Sequence, residues 1–516
     1  MSAGLLFSFV IGYFLLLLVV AYFTSRNANN ESFFIGNKNS NWMLVAFGMI
    51  GTSLSGITFV SVPGAVGKPF GNGFEAFSYF QIVIGYVLGY FIVAYVLLPL
   101  YYKLQLTSIY NYLNKRLGFV SYKTGSSFFI LSRTLGATAR LYLVVAILQN
   151  TILAGFGIPF WLTTLIILIM ILLYTFEGGV KTIVWTDMLQ TTCMLLGLII
   201  CVVYILKSLN ISFSQGVHAL EQANYTKMLV MDPNSRLFFF KQLLAGAFIT
   251  ITMTGMDQEM MQKNISVRTL KDSQKNMITF SFIQAIVVLL FLFLGGLLYI
   301  YASSNGGHYL QVVENGKTVT KYILDNKNVI GDALFPAIAL RQGIPSIISV
   351  IFIIALISAL FPSADGAITA LTSSFCIDIL GLKRKSNWDE RKRKQTRKIV
   401  HLAFALVFLL FVMVFKWINS SSMINVILKV AGYTYGPLLG LFSFGILTKR
   451  QVADKWVPVV CIAAPVICFF LDKYQKSLFG KFEIGLELIL INGILVFIGL
   501  FLISRSATTD NSVSAL

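Results

Sequence analysis

Two stretches of this 516-residue sequence crowd oxygen-bearing side chains into otherwise apolar surroundings. The first reads Gly48-Met-Ile-Gly51-Thr52-Ser53-Leu54-Ser55-Gly56-Ile57-Thr58-Phe59 and runs on to Pro63-Gly64. Glycine and serine at this density weaken a helix. A helix that unwinds in an apolar medium exposes backbone carbonyls, and these coordinate a cation. The second stretch reads Ser358-Ala359-Leu360-Phe361-Pro362-Ser363-Ala364-Asp365-Gly366, followed by Thr369, Thr372, Ser373 and Ser374. Pro362 removes a helical hydrogen bond and frees a carbonyl of the preceding turn. Carboxylate, hydroxyl and free carbonyl form a hard oxygen set that suits a small cation. For the first stretch the competing reading is small residues for close helix packing. That reading explains the glycines but not the hydroxyls gathered around a Pro-Gly. For the second it is a kink carrying an inward-facing acid.

Other charged residues lie in apolar runs. Asp187 sits in Val184-Trp185-Thr186-Asp187-Met188-Leu189-Gln190, where a helix N-cap role competes with a ligand role. Asp257-Gln258 fall near the end of another run. Arg133 and Arg140 are seven residues apart and share a helix face. They attract an anionic solute or pair with Asp187, Asp257 or Asp365. Lys429 carries the same ambiguity.

The elements that position these residues follow from composition. Hydrophobic residues make up 57% and charged residues 12%, with a mean hydropathy of +0.79. A soluble domain carries about 25% charged residues, so a soluble enzyme is excluded. About 13 apolar segments of spanning length can be marked. They lie near 4–24, 42–66, 75–101, 124–153, 158–176, 182–207, 236–258, 276–303, 343–380, 398–418, 422–447, 456–472 and 485–504. The runs are too long for strands and do not alternate. This predicts an all-α polytopic membrane protein inserted in a lipid bilayer. Residues 1–505 form one transmembrane unit, and 506–516 a short cytoplasmic tail.

The net charge of +19 does not point to nucleic acid. Lysine and arginine concentrate in alternate loops, above all in the run from Lys383 to Lys398, as the positive-inside rule requires. That pattern puts the N-terminus outside and the C-terminus in the cytoplasm, and it suits a bacterial inner membrane. Lys263 counts among the cytoplasmic loop residues. The loops 208–235 and 304–332 are external and too short to be domains. The five cysteines fall in apolar stretches with no CxxC motif, and the three histidines are scattered, so no histidine-based metal site is expected. The run Leu5 to Phe23 lacks a basic leader and a cleavage site, which makes it a retained helix.

Five motifs, in order, resemble the sodium/solute symporters, the family of the sodium–glucose, sodium–proline and sodium–sialic acid transporters. They are Ser55-Gly-Ile-Thr-Phe59 with Pro63-Gly64; Thr107-Ser-Ile-Tyr-Asn-Tyr-Leu-Asn-Lys-Arg116; Gly178-Gly-Val-Lys-Thr-Ile-Val-Trp-Thr-Asp187; Asp257-Gln258 with Gln262 and Lys271-Asp272; and Gly432-Tyr-Thr-Tyr-Gly-Pro-Leu-Leu-Gly440. The resemblance runs from the first span to about residue 450. It implies a LeuT-like core of five plus five inverted spans, here about 42–207 and 236–447. It implies no enzymatic activity. It implies a coupling Na+ held by the carbonyls of Gly51, Leu54 and Ala359 and the hydroxyl of Ser363. The family places a serine where this chain has Pro362. Some relatives hold a second sodium near the residue matching Asp187, and Asp365 adds a carboxylate there. The solute pocket would use Ser55, Thr58, Gln81 and Thr250, with Met253 where sugar transporters have an aromatic gate. Arg140 tilts the solute towards an anion: a sugar acid such as sialic acid, or another organic acid, with a neutral sugar the remaining choice. The implied function is uptake of a small polar solute driven by sodium through alternating access. A proton-coupled symporter and a non-transporting solute sensor are the rivals.

Overall fold

The computed structural model describes residues 3–26, 33–34, 36–71, 73–151, 153–176, 179–314, 317–384, 387–418 and 423–506. Gly178, Lys385 and the tail after Ser506 lie outside them. In an apolar medium every backbone N–H and C=O must be satisfied within the protein, and a helix does this within one segment. Helix therefore forms wherever the sequence runs apolar. Among the described residues, eight helices are long and apolar enough to cross a membrane, or up to eleven if three bent pairs each count as one span. Two shorter apolar helices complete the set.

In chain order these are α1 (Ala3–Thr24), the bent pair α2 (Trp42–Ser53) and α3 (Gly56–Ala65), and α4 (Ala76–Lys103). Next come α5 (Phe119–Thr151), the short α6 (Phe160–Thr175) and α7 (Gly179–Ser208). After an amphipathic loop helix α8 (Phe213–Gln222) follow α9 (Phe239–Gly255), bent against α10 (Gln258–Ile265), and α11 (Leu270–Ser304). The chain then forms α12 (Leu334–Ala339), α13 (Ser346–Ile379), α14 (Glu390–Ile418) and the bent pair α15 (Met423–Thr434) and α16 (Gly436–Leu447). It ends with α17 (Val457–Phe479) and the short α18 (Leu488–Leu502).

The bends have local causes. At the first, Leu54 and Ser55 leave the helix, and α3 departs from α2 at 58°. The second follows a wide π turn over Ile251–Gly255. There Asp257 caps α10 by accepting from Glu259 N (2.9 Å) and Met260 N (3.3 Å), and the axes diverge by 64°. Of the eight helices long enough to cross a membrane, α13 is the most buried, with every residue from Phe352 to Ser374 except Ile354 buried. It packs on α7, α5 and the α2–α3 break.

The loop at 304–332 is more ordered than its polar sequence suggests. Strands β1 (His308–Glu314) and β2 (Lys317–Leu324) pair antiparallel, with Tyr309 opposite Tyr322 and their rings 4.7 Å apart. This hairpin is fastened to the residues that follow α3. Tyr309 donates to Gly67 O (2.7 Å), and nearby Tyr299 of α11 donates to Gly64 O of α3 (2.8 Å). Phe335 of α12 stacks on Phe59 at 5.3 Å.

Candidate functional site

The α2–α3 break opens onto a chamber of about 100 Å³. The last turn of a helix leaves its carbonyls without helical N–H partners, so the break presents bare oxygens at Gly51 to Leu54. Ser55 stands at the N-cap of α3, yet its hydroxyl makes no capping bond and faces the chamber with Thr58. Tyr79, Tyr86 and Tyr90 of α4 supply one wall, and Thr250, Met253 and Thr254 of the α9 bend another. Arg133 and Arg140 of α5, Gln284 of α11, and Ile427 and Leu428 of α15 close it. A wider cavity of about 330 Å³ adjoins, and Tyr79 and Leu428 line both. Ion pairs Arg236–Glu75 (3.1 Å) and Lys429–Asp472 (2.7 Å) stand in its wall.

The structure thus brings Ser55, Thr58, Arg140 and Thr250 together, as the sequence reading required. Gln81 is a correction. It is fully buried outside the chamber lining, where its amide donates to Ser78 O (3.2 Å) and Leu237 O (3.1 Å) and accepts from Val230 N (3.0 Å). All its capacity goes into fastening the incoming loop to α4. The tyrosines one turn to either side do the lining instead.

The buried charges sort themselves by partner. Arg133 pairs with Glu259 and lies 3.9 Å from Asp257 Oδ2, which also accepts from Tyr435 OH (2.8 Å). Lys263 corrects the loop assignment: only 3% of it is exposed, and its Nζ lies 2.6 Å from Asp187 Oδ2. Asp187 therefore faces an ammonium of this chain where the sequence reading placed sodium. Glu259 and Lys263 went unrecognised because a single turn, Gln258-Glu-Met-Met-Gln-Lys263, reads as loop. The signal was their spacing of four, which puts both on one helix face. Arg140 makes no ion pair or hydrogen bond among the described residues, and its guanidinium is left to the chamber.

Of the predicted sodium ligands, Gly51 lies at the contact of α2 with α13, the helix that carries Ala359 and Ser363. Pro362 packs beside Gly51, and the fully buried Ser363 hydroxyl has no hydrogen-bond partner. A buried hydroxyl without a partner is costly, and a cation would satisfy it. Thr369 Oγ1 is in the same condition. Asp365 accepts from Tyr174 OH (2.7 Å) and Gly366 N (2.5 Å) and has no cationic partner within salt-bridge distance among the described residues.

A multi-pass helical bundle with a polar chamber at a broken helix is the build of a secondary active transporter. The comparisons agree. The profile of the Sodium:solute symporter family matches residues 33–454. The chain belongs to that family. It is a sodium-coupled solute transporter of the membrane and not an enzyme. It is 23% identical over 470 residues to the sodium/sialic acid symporter SiaT of Proteus mirabilis, covering 90% of this chain and 88% of that one. It is 24% identical over 405 residues to the sodium-dependent multivitamin transporter of Oryctolagus cuniculus, covering 78% of this chain and 59% of the relative. The structure of a Na+-coupled sialic acid symporter in a substrate-bound outward-open state superposes with a TM-score of 0.79 at 20% identity, over 97% of this chain and 99% of that one. The fold is the LeuT-like transporter fold expected from the sequence.

Proposed function

We propose that the chain takes up a small organic anion, a sugar acid such as sialic acid fitting best, with sodium bound at the α2–α13 contact. The observation that carries this is Arg140, a guanidinium directed to the chamber with no acid of its own. Guanidinium recognises carboxylate through paired charge-assisted hydrogen bonds. Ser55, Thr58, Thr250 and the three tyrosines then meet the hydroxyls of the solute. The relatives support the reading, since one is named for sialic acid.

Gly51, Leu54, Ala359 and Ser363 hold the sodium, with Asp365 close by along α13. Sodium binding stabilises the form open to the outside, and solute then settles against the α2–α3 break. The core rocks and releases both inward. The two short apolar helices count as spans, making 13 with the N-terminus outside and the C-terminus in the cytoplasm of a bacterial inner membrane. Residues 42–207 and 236–447 form the two halves of the core, residues 1–505 the whole transmembrane unit, and 506–516 a cytoplasmic tail.

Uptake of radiolabelled sialic acid into proteoliposomes tests the solute. Arg140→Gln is expected to raise the apparent KM about 10- to 100-fold, as loss of a charge-assisted hydrogen bond implies, while Arg140→Lys retains part of the affinity. Unchanged KM in Arg140→Gln would remove the anion assignment. Melting in detergent with sodium titrated against choline tests the ion. Sodium raises the melting temperature, and Ser363→Ala shifts that response to at least several-fold higher sodium. A response in Ser363→Ala equal to the wild type would place the ion elsewhere.

A further inference from the structure

We infer that the ammonium of Lys263 stands, on a tether, where a second coupling cation would bind beside Asp187, so that this protein binds one sodium and not two. The inference rests on the sodium-coupled reading above. The place for a second cation is defined by the Asp187 carboxylate, the hydroxyl of Thr52 at the α2 end, and the facing oxygens of α13. Lys263 Nζ already lies 2.6 Å from Asp187 Oδ2 and 2.7 Å from Thr52 Oγ1. It also lies 3.8 Å from Glu259 Oε1. Thr52 Oγ1 is itself 3.2 Å from Asp187 Oδ2, closing a triangle of carboxylate, hydroxyl and ammonium.

An ammonium has three donors and one positive charge. It meets the two requirements a sodium ion would have met here, neutralising the acid and satisfying the hydroxyl. The α13 side does not restore the site. Positions 362 and 366 are proline and glycine, which bring no side-chain oxygen. The Asp365 carboxylate is engaged by Tyr174 and by Gly366 N. Among the described residues Asp187 Oδ1 has no hydrogen-bond partner, and neither polar atom of the Gln190 amide has one. A cation arriving there would meet one carboxylate oxygen, whose charge the ammonium has already offset, and one neutral amide oxygen.

The placement also distinguishes a tethered cation from a mobile one. Lys263 sits on α10, which ends a bent span, and its triangle joins that helix to α2 and α7. Sodium would leave this junction in every cycle, whereas the lysine cannot. The junction therefore carries no net charge across the membrane.

Equilibrium binding of 22Na+ to the purified full-length protein, without solute, counts the sites. One sodium per chain is expected for the wild type and for Lys263→Arg. Two are expected for Lys263→Ala, and Lys263→Met serves if the alanine variant does not fold. Two sodiums on the wild type overturn the inference, whatever the variants do. One on a folded Lys263→Ala or Lys263→Met also overturns it, because something other than the ammonium then excludes the ion. No sodium on the wild type overturns the sodium assignment at Ser363 itself, and the inference with it.

Discussion

Replacing Arg133 by methionine is expected to destabilise the protein by about 3–5 kcal/mol, the range for breaking one side of a buried ion pair. Arg133 is 3% exposed, and it is the cation that faces both Glu259 and Asp257. Without it Glu259 retains only Lys263, at 3.8 Å and already committed to Asp187. A carboxylate would then stand in an apolar interior with little to offset its desolvation. The double variant Arg133→Met/Glu259→Met removes the stranded charge and is expected to recover most of the loss, since apolar groups replace buried pairs at little cost. Thermal melting of the three proteins in one detergent measures the coupling. Equal melting of Arg133→Met and wild type would mean that the pair contributes nothing. Failure of the double variant to recover would assign the loss to packing around the arginine stem.

Alanine at Gly85 or Gly246 is expected to be nearly as damaging, by a different route. These glycines face each other where α4 crosses α9. A Cβ on Gly85 would lie 2.2 Å from Leu243 O, and one on Gly246 would lie 2.2 Å from Ile82 O. Both obstacles are backbone atoms, so no rotamer change relieves the clash and the helices must part. Overpacking a tight interior costs about 1–3 kcal/mol. The functional loss is expected to be larger than the stability loss. α4 carries Tyr79, Tyr86 and Tyr90, and α9 carries Thr250 and Met253, so separating the helices pulls two chamber walls apart. Uptake by Gly246→Ala should fall at least tenfold while the protein still folds and elutes as a single species. Full uptake would show that the crossing tolerates an extra methyl. It would also show that the chamber does not depend on its width.

These two expectations also mark how far a linear reading reaches. The helices were legible because bilayer-length apolar runs have few other solutions. The break at Leu54-Ser55 was legible because glycine, serine and proline gather there for a local reason. The chamber hydroxyls followed from that break. What stayed hidden was long-range pairing. Asp187 meets a lysine 76 residues later, and nothing near either residue announces the other. Gln81 was expected to be a ligand because the family resemblance asks for a polar residue on that span. Its partners are backbone groups of a loop about 150 residues away. Arg133 and Arg140, alike in sequence, part company only in three dimensions, one taken up by Glu259 and Asp257 and the other left for solute.

On the topology proposed above, the fastening of the β1–β2 hairpin just past α3 gives the molecule an external handle. Tyr309 of the hairpin holds Gly67 just past α3, while Tyr299 of α11 holds Gly64 and Phe335 of α12 grips Phe59. Through Tyr309 the hairpin is expected to move with the end of α3 whenever that helix tilts. A rigid antibody fragment clasping the hairpin and a neighbouring loop together would arrest the tilt, halting uptake without touching the chamber. A fluorophore on the hairpin would report each stroke of the cycle.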